Sequence, residues 1–242
     1  MNSDTYKSPS VIRQFIKGSY LRTRRALGID VTLPYMKQRE IEIIEEILTR
    51  LKPKKCLEYG GGYSTLYYPK FLDESAQWIS VEHHPEWFEI IKKKITRKNT
   101  VMHSVRADKD SDNNTIDEYR TYVNFPEKGA PYDFILVDGR VRDACVDKAY
   151  DMLSDDGILL LHDANRKNYF DIVKDYPHSL LLNDFRKTSG GLAFATKSKP
   201  VKEFFDVDKH AAVWERNSVI NNFFKFKFLM GKKAKPFNLQ VR

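Results

Sequence analysis

Cysteine is scarce in this chain of 242 residues, which has only Cys56 and Cys145. Cys56 falls in a stretch that reads as a strand and Cys145 in one that reads as a helix, so neither has an evident partner. That excludes a disulfide-stapled scaffold and points to a reducing compartment. Long hydrophobic runs are missing too. Nothing reaches the roughly eighteen apolar residues of a membrane span. Near the start Arg13, Lys17, Arg22, Arg24 and Arg25 interrupt every hydrophobic stretch, so no signal-peptide pattern is formed. There is no internal repeat and no low-complexity linker, which argues against a second independent domain. What remains is a soluble, cytoplasmic protein whose length suits one α/β core with additions.

Charge is abundant but unevenly placed. The formal net charge is +8, while residues 1–30 carry +4 and residues 221–242 carry +6, so the 31–220 core carries −2. In the last segment, Phe223, Phe224, Phe226 and Phe228 interleave with Lys225 and Lys227, and Lys232, Lys233 and Lys235 follow. Such a tail suits an anionic membrane surface or another polyanion, and peripheral membrane contact is one expectation. The same alternation also fits a half-buried strand with its Phe residues on the core and its lysines in water.

Glycine is clustered where it matters. A short apolar run leads into Leu57-Glu58-Tyr59-Gly60-Gly61-Gly62-Tyr63-Ser64-Thr65. Glycines let the backbone turn sharply and approach a ligand, and a following helix offers free N–H groups and a partial positive charge. Twenty-two residues after Gly60, the run Trp78-Ile79-Ser80-Val81 ends in Glu82, where a carboxylate can accept ribose hydroxyls. Further strand-like runs follow at 101–105, 132–137, 157–161, 179–182 and 191–196. Helical periodicity separates them at Pro85 to Ile95, with Trp87, Ile90, Ile91 and Ile95 on one face, and at Asp143 to Leu153. Ser154-Asp155-Asp156-Gly157 reads as a turn. Alternating strands and helices imply a parallel sheet covered on both faces, with ligands beyond the carboxyl ends of its strands.

An acid two residues before the first glycine, and Thr65 where a dinucleotide turn carries its third glycine, make Glu58-Tyr59-Gly60-Gly61-Gly62-Tyr63-Ser64 resemble the first motif of class I S-adenosylmethionine-dependent methyltransferases. The resemblance runs from about Pro53 to Lys197. It implies a Rossmann-like, seven-stranded, mostly parallel sheet, with an N-terminal helical extension (1–52), the cofactor-binding core (53–200) and a basic, aromatic C-terminal extension (201–242). It assigns the cofactor to Glu58, Tyr59, Gly60, Gly61, Gly62, Ser64, Glu82, His83, Asp108 and Asp138, with Glu82 on the ribose and Asp108 towards the adenine.

The same resemblance places Asp138, His162 and Asp163 at neighbouring strand ends as the catalytic set. His162 has an ordinary pKa close to the working range and is a candidate base, the alternative being a purely structural role in capping or hydrogen-bonding the next loop. Metal-dependent small-molecule O-methyltransferases use an Asp after the fourth strand and an Asp-Asn pair after the fifth. Here Asp138, Asp163 and Asn165 stand in those places, but Ala164 interrupts the pair, so a divalent metal is left open and not favoured. Arg140, Arg142, Arg166 and Lys167 would ring the acceptor mouth, which suits an anionic small molecule or glycan. Nucleic-acid bases are disfavoured, because Val137-Asp138-Gly139-Arg140 lacks the Pro-Pro-aromatic turn of those enzymes. The expected activity is methyl transfer to oxygen. A nicotinamide-linked oxidoreductase and a noncatalytic docking protein of the same fold are the alternatives.

Overall fold

The computed structural model describes residues 32–109, 111, 113–166, 169–183, 190–228 and 239–241, together with Tyr20, Thr23, Arg24 and Leu27; from 218 to 228 only the backbone is described. Helix α1 (Gln38–Leu51) forms where isoleucines recur at helical spacing. Ile41, Ile44, Ile47 and Leu48 are almost wholly buried, and each such burial stabilises by about 1.5–3 kcal/mol. The Lys37 N–H at its start donates to Glu40 Oε2 at 2.5 Å. The helix ends at Lys52 in the left-handed conformation, and Pro53 prevents its continuation.

The strands β1 (Lys55–Tyr59), β2 (Gln77–Glu82), β3 (Thr100–Ser104), β4 (Tyr132–Val137) and β5 (Leu153–His162) run parallel in the order β3-β2-β1-β4-β5. Two antiparallel strands, β6 (His178–Leu182) and β7 (Leu192–Thr196), close the sheet, with β7 beside β5. All seven expected strands are present. An eighth, β8 (Leu239–Val241), pairs antiparallel with β6 at the edge, so part of the segment read as a tail belongs to the sheet.

Helices cover both faces, which is why β4 and the second half of β5 are apolar runs, whereas the edge strand β3 alternates in burial and leaves Val101 44% exposed. On one face Leu57, Tyr59, Ile135, Val137 and Leu159 pack against α4 (Ile116–Asn124) and α5 (Arg142–Met152). On the other, Cys56, Trp78, Phe134 and Leu160 pack against α1 and against α6 (Val207–Phe228) through Trp214. The short helices α2 (Tyr63–Tyr67) and α3 (Pro85–Lys92) meet at a smaller cluster of Phe88, Ile91 and Met102.

Three local expectations change. In α3 the buried residue beside Ile91 is Phe88, while Ile90 is 47% exposed, because Phe88 and Ile91 lie one turn apart on the side facing Met102. Ser154 to Gly157 is not a turn between elements. It lies within β5 as a bulge, since Leu153 pairs with Tyr132 but Ile158 already pairs with Phe134. The Phe/Lys stretch is helical through Phe228, not a strand; its side chains, residues 229–238 and nearly all of the basic stretch 11–27 lie outside the described residues. Among the described residues no helix is long and apolar enough to cross a membrane.

Candidate active site

At the carboxyl ends of β1, β2 and β4 lies a cleft of about 600 Å³. Gly60, Gly61, Gly62, Ser64, Glu82, His83 and Asp138 line it, so these expected residues are brought together. Another cavity, of about 630 Å³, lies at the opposite end of the sheet between β6, β8 and the start of α6, away from all of them.

The glycine turn is built from the backbone outward. Gly60 has φ +91, and a Cβ there would sit 2.6 Å from the Cα and N of Gly139, so the β1 and β4 turns touch glycine to glycine. Gly60 N–H bonds Val81 O at 2.9 Å, and Asp138 N–H bonds Tyr59 O at 2.9 Å, which ties three strand ends together. Gly62 differs. The nearest atom to a Cβ built there is Trp87 Nε1, at 3.5 Å, and the space beyond belongs to the cleft.

Beneath the turn, Gly62 N–H donates to Thr65 Oγ1 (2.9 Å), whose hydroxyl donates to Glu58 Oε2 (2.6 Å). Trp78 Nε1 donates to the same oxygen at 3.0 Å. Glu58 is fully buried and absent from the cleft wall. Burial pushes its carboxyl up to about 7, against the hydrogen bonds that favour its charge. The motif acid thus supports the turn from below. Tyr59 also points away, into the core, where its hydroxyl donates to Val123 O at 2.6 Å. Asp108 is exposed and outside the cleft wall, and its Oδ2 accepts the Thr121 N–H at 2.8 Å within the kinked helix α4.

Glu82, at the end of β2, is 3% exposed. Its Oε1 accepts the His84 N–H at 2.7 Å and lies 2.9 Å from His83 Nδ1, while Oε2 takes no hydrogen bond from the described residues. Aromatic contacts run from Tyr35 to Tyr63 to Trp87, and Trp87 Nε1 donates to Gly61 O at 2.9 Å. Sequence reasoning missed Pro34 to Met36 on the cleft rim, because nothing local marks a segment that reaches the site from outside the motif.

At the other end of the cleft Asp138 Oδ1 lies 2.9 Å from both His162 Nδ1 and Arg142 Nη2. Burial opposes its charge, but His162 and Arg142 outweigh that and hold the carboxyl below its usual range. His162 is buried behind Asp138, and its Nε2 lies 3.5 Å from Glu40 Oε2 of α1. Burial alone would lower the imidazole; the two carboxylates instead lift it to about 10. The imidazolium is thus favoured beside these two carboxylates, which counts against His162 as the base. Glu40 was also missed. Its signal is an acid on the apolar stripe of α1, one turn before Ile44.

Asp163 has φ +57, its Oδ1 accepts the Gly190 N–H, and its Oδ2 lies 3.2 Å from Arg166 Nη2 and 3.7 Å from Arg142 Nη1. Asn165 is buried behind it, its N–H on Gly190 O at 2.9 Å. The ligand atoms of Asp138, His162 and Asp163 lie within 4.8 Å of one another, close enough for a metal by distance alone. They do not fit one as they stand. Arg142 spans both carboxylates, His162 Nδ1 is committed to Asp138, and one oxygen of Asp163 is committed to backbone. Arg140 and Arg166 also line the cleft, as expected; Lys167 lies outside the described residues.

No family model matches this chain, and no curated protein sequence matches it. Solved structures do. An O-methyltransferase from Bacillus cereus in complex with SAH aligns over 81% of this chain and 94% of its own, with 15% identity and a TM-score of 0.54. Cofactor-bound Rv0187 from MTB aligns over 80% and 100%, with 13% identity and a TM-score of 0.54. A methyltransferase from Geobacter sulfurreducens aligns over 80% and 94%, with 9% identity and a TM-score of 0.52. At these identities the likeness is one of fold, and the chain has the Rossmann-like fold that these three structures share.

Proposed function

We propose that this protein is an S-adenosylmethionine-dependent methyltransferase that methylates an oxygen of a small-molecule acceptor. The observation that carries the reading is the cleft itself: an open glycine turn at the end of β1, a carboxylate with one uncommitted oxygen at the end of β2, and Asp138 facing them from β4. The cofactor fits these residues, because the space a Cβ of Gly62 would enter is open and Glu82 Oε2 has no partner to surrender among the described residues. When bound, S-adenosylmethionine supplies a methyl group activated for in-line displacement.

Within this reading the Gly60–Gly62 backbone holds the amino-acid end of the cofactor and Glu82 accepts the ribose hydroxyls. Asp138 Oδ2 takes no hydrogen bond from the described residues, whereas Oδ1 is held by His162 and Arg142. That leaves Oδ2 to receive the acceptor's hydroxyl hydrogen. The proton acidifies as the new C–O bond forms, so a carboxylate of depressed pKa suffices to take it. Arg140 and Arg166 at the cleft support an anionic acceptor, whether a small metabolite or a glycan. The three-part division at 52/53 and 200/201 belongs to the proposal too, with α1 and α6 packed on the core that they flank.

Calorimetric titration with S-adenosylmethionine, S-adenosylhomocysteine and NAD tests the assignment: binding of the first two and not the third is expected, and binding of NAD alone would sink it. Contact of residues 221–242 with an anionic membrane is a separate proposal, supported by six Lys/Arg without an acid. Salt-insensitive or absent co-sedimentation with anionic vesicles would remove it.

A further inference from the structure

We propose that Arg142 is the resident cation of the acceptor end, a positioning residue that fills the place among Asp138, His162 and Asp163 where a divalent ion would otherwise bind. The guanidinium is only 9% exposed by side chain and is fixed from several sides. Its Nε donates to Gly139 O at 3.0 Å, Nη1 to His162 O at 2.6 Å and Nη2 to Asp138 O at 3.2 Å. Held by the backbone of both strand ends, it also reaches Asp138 Oδ1 at 2.9 Å and Asp163 Oδ2 at 3.7 Å.

Two considerations make this group a substitute for a metal and not its neighbour. A divalent ion needs carboxylate oxygens at about 2.0–2.6 Å, and an ion meeting that demand between Asp138 and Asp163 would stand in contact with the guanidinium that bridges them. Charge gives the same answer. Asp138 and Asp163 are already matched by Arg142 and by Arg166, 3.2 Å from Asp163, so a divalent ion would enter a compensated, largely buried cluster as excess positive charge. Arg also suits the task by geometry, since its planar fork can hold two strand-end carbonyls and two carboxylates at once. It thereby fixes the face of Asp138 presented to the cleft.

The decisive measurement is Mn²⁺ uptake, followed by the electron paramagnetic resonance signal of the free ion, on the full-length protein. The wild type is expected to take up no stoichiometric ion at millimolar Mn²⁺. Arg142→Ala is expected to bind one per chain, at least tenfold more tightly, and to lose it again when Asp163→Asn is added. Arg142→Gln removes the charge but keeps a polar amide able to donate to one of the nearby carbonyls; it serves if the alanine variant does not fold, with the same expectation. Stoichiometric uptake by the wild type that Asp163→Asn abolishes would overturn the proposal, as would no uptake by whichever variant folds. A second arm rests on the methyltransferase reading: turnover of the wild type is expected to be unchanged by chelator. Calorimetric S-adenosylmethionine binding, measured alongside, separates failure of that reading from failure of the role given to Arg142.

Discussion

The two ends of the cleft are built by opposite means. At the Gly60 end the floor of the cleft is the backbone of one contiguous glycine turn, supported from below by Thr65 and Glu58 and flanked by Glu82 and Trp87. At the Asp138 end the lining residues Asp138, Arg142 and Arg166 belong to a closed set of charges that continues behind the wall to His162, Asp163 and Glu40 of α1. The first is shaped to receive something. The second has already satisfied most of its own valences, and what it leaves open is one oxygen of Asp138. An open turn tolerates loss of a side chain and not its gain, whereas a compensated cluster tolerates neither.

The largest effect should come from putting a side chain where two glycines touch. Gly60→Val meets a positive φ and a backbone 2.6 Å away, so the expected outcome is an unfolded or severely destabilised protein, by more than about 4 kcal/mol. Gly62→Val should fold, since its Cβ meets nothing closer than 3.5 Å, and should lose S-adenosylmethionine binding. A melt and a titration on each variant check the pair. If both variants unfold, or both bind, the turn does not divide into a structural and a ligand-facing glycine.

Next is Asp138→Ala, which leaves Arg142 and His162 without their shared partner. Removing one member of a buried ion pair costs about 3–5 kcal/mol, and because Asp138 keeps 23% of its side chain exposed the lower end applies. Turnover should fall far more than cofactor affinity, because this end meets the acceptor. A normal melting temperature would show that the cluster is not closed. Glu82→Ala is milder. The His84 N–H gives up its carboxylate acceptor and the ribose would lose its own, so cofactor affinity should weaken by about 1–3 kcal/mol by calorimetry. An effect within error would place Glu82 outside the ribose site.

The fold was legible because both faces of the central sheet are covered, so β4 and the second half of β5 announced themselves as apolar runs, with β1 placed by the glycine turn that follows it and β2 by the acid that ends it. The open end of the cleft was legible for a related reason: Gly60, Gly61, Gly62 and Ser64 are adjacent in sequence, and Glu82 follows one βαβ unit later. The closed end was read only in outline. Asp138, His162 and Asp163 stand where strand ends had to place them, but the charge state of His162 depends on Glu40, far away in the chain on α1, and that of Asp138 on which way Arg142 turns. Periodicity does not encode either. Glu58 illustrates the limit within a motif, since an acid two residues before a glycine turn is placed by sequence beside the ligand, while the pleat of β1 turns its side chain under the loop towards Trp78.

Glu58→Gln is therefore the gentlest change and a sharp test of that last distinction. A glutamine keeps the shape and can still accept from Thr65 and Trp78, so S-adenosylmethionine affinity should be close to that of the wild type, whereas a carboxylate touching the cofactor would lose affinity on neutralisation. The pH dependence of stability supplies the second reading. The Glu58 carboxyl rises from 4.5 to about 7 on folding, so the folded state holds a proton that the unfolded state has released, and stability falls as pH rises through that window. His162 acts with the same sign at higher pH: its stabilisation is full below 6.5 and lost as pH rises towards about 10. Melts from pH 4 to 10 should show both declines in the wild type and only the upper one in Glu58→Gln. A variant that keeps the lower decline, or that loses cofactor binding while melting normally, would return Glu58 to the cleft and erase the contrast between a turn that is supported and a cluster that is closed.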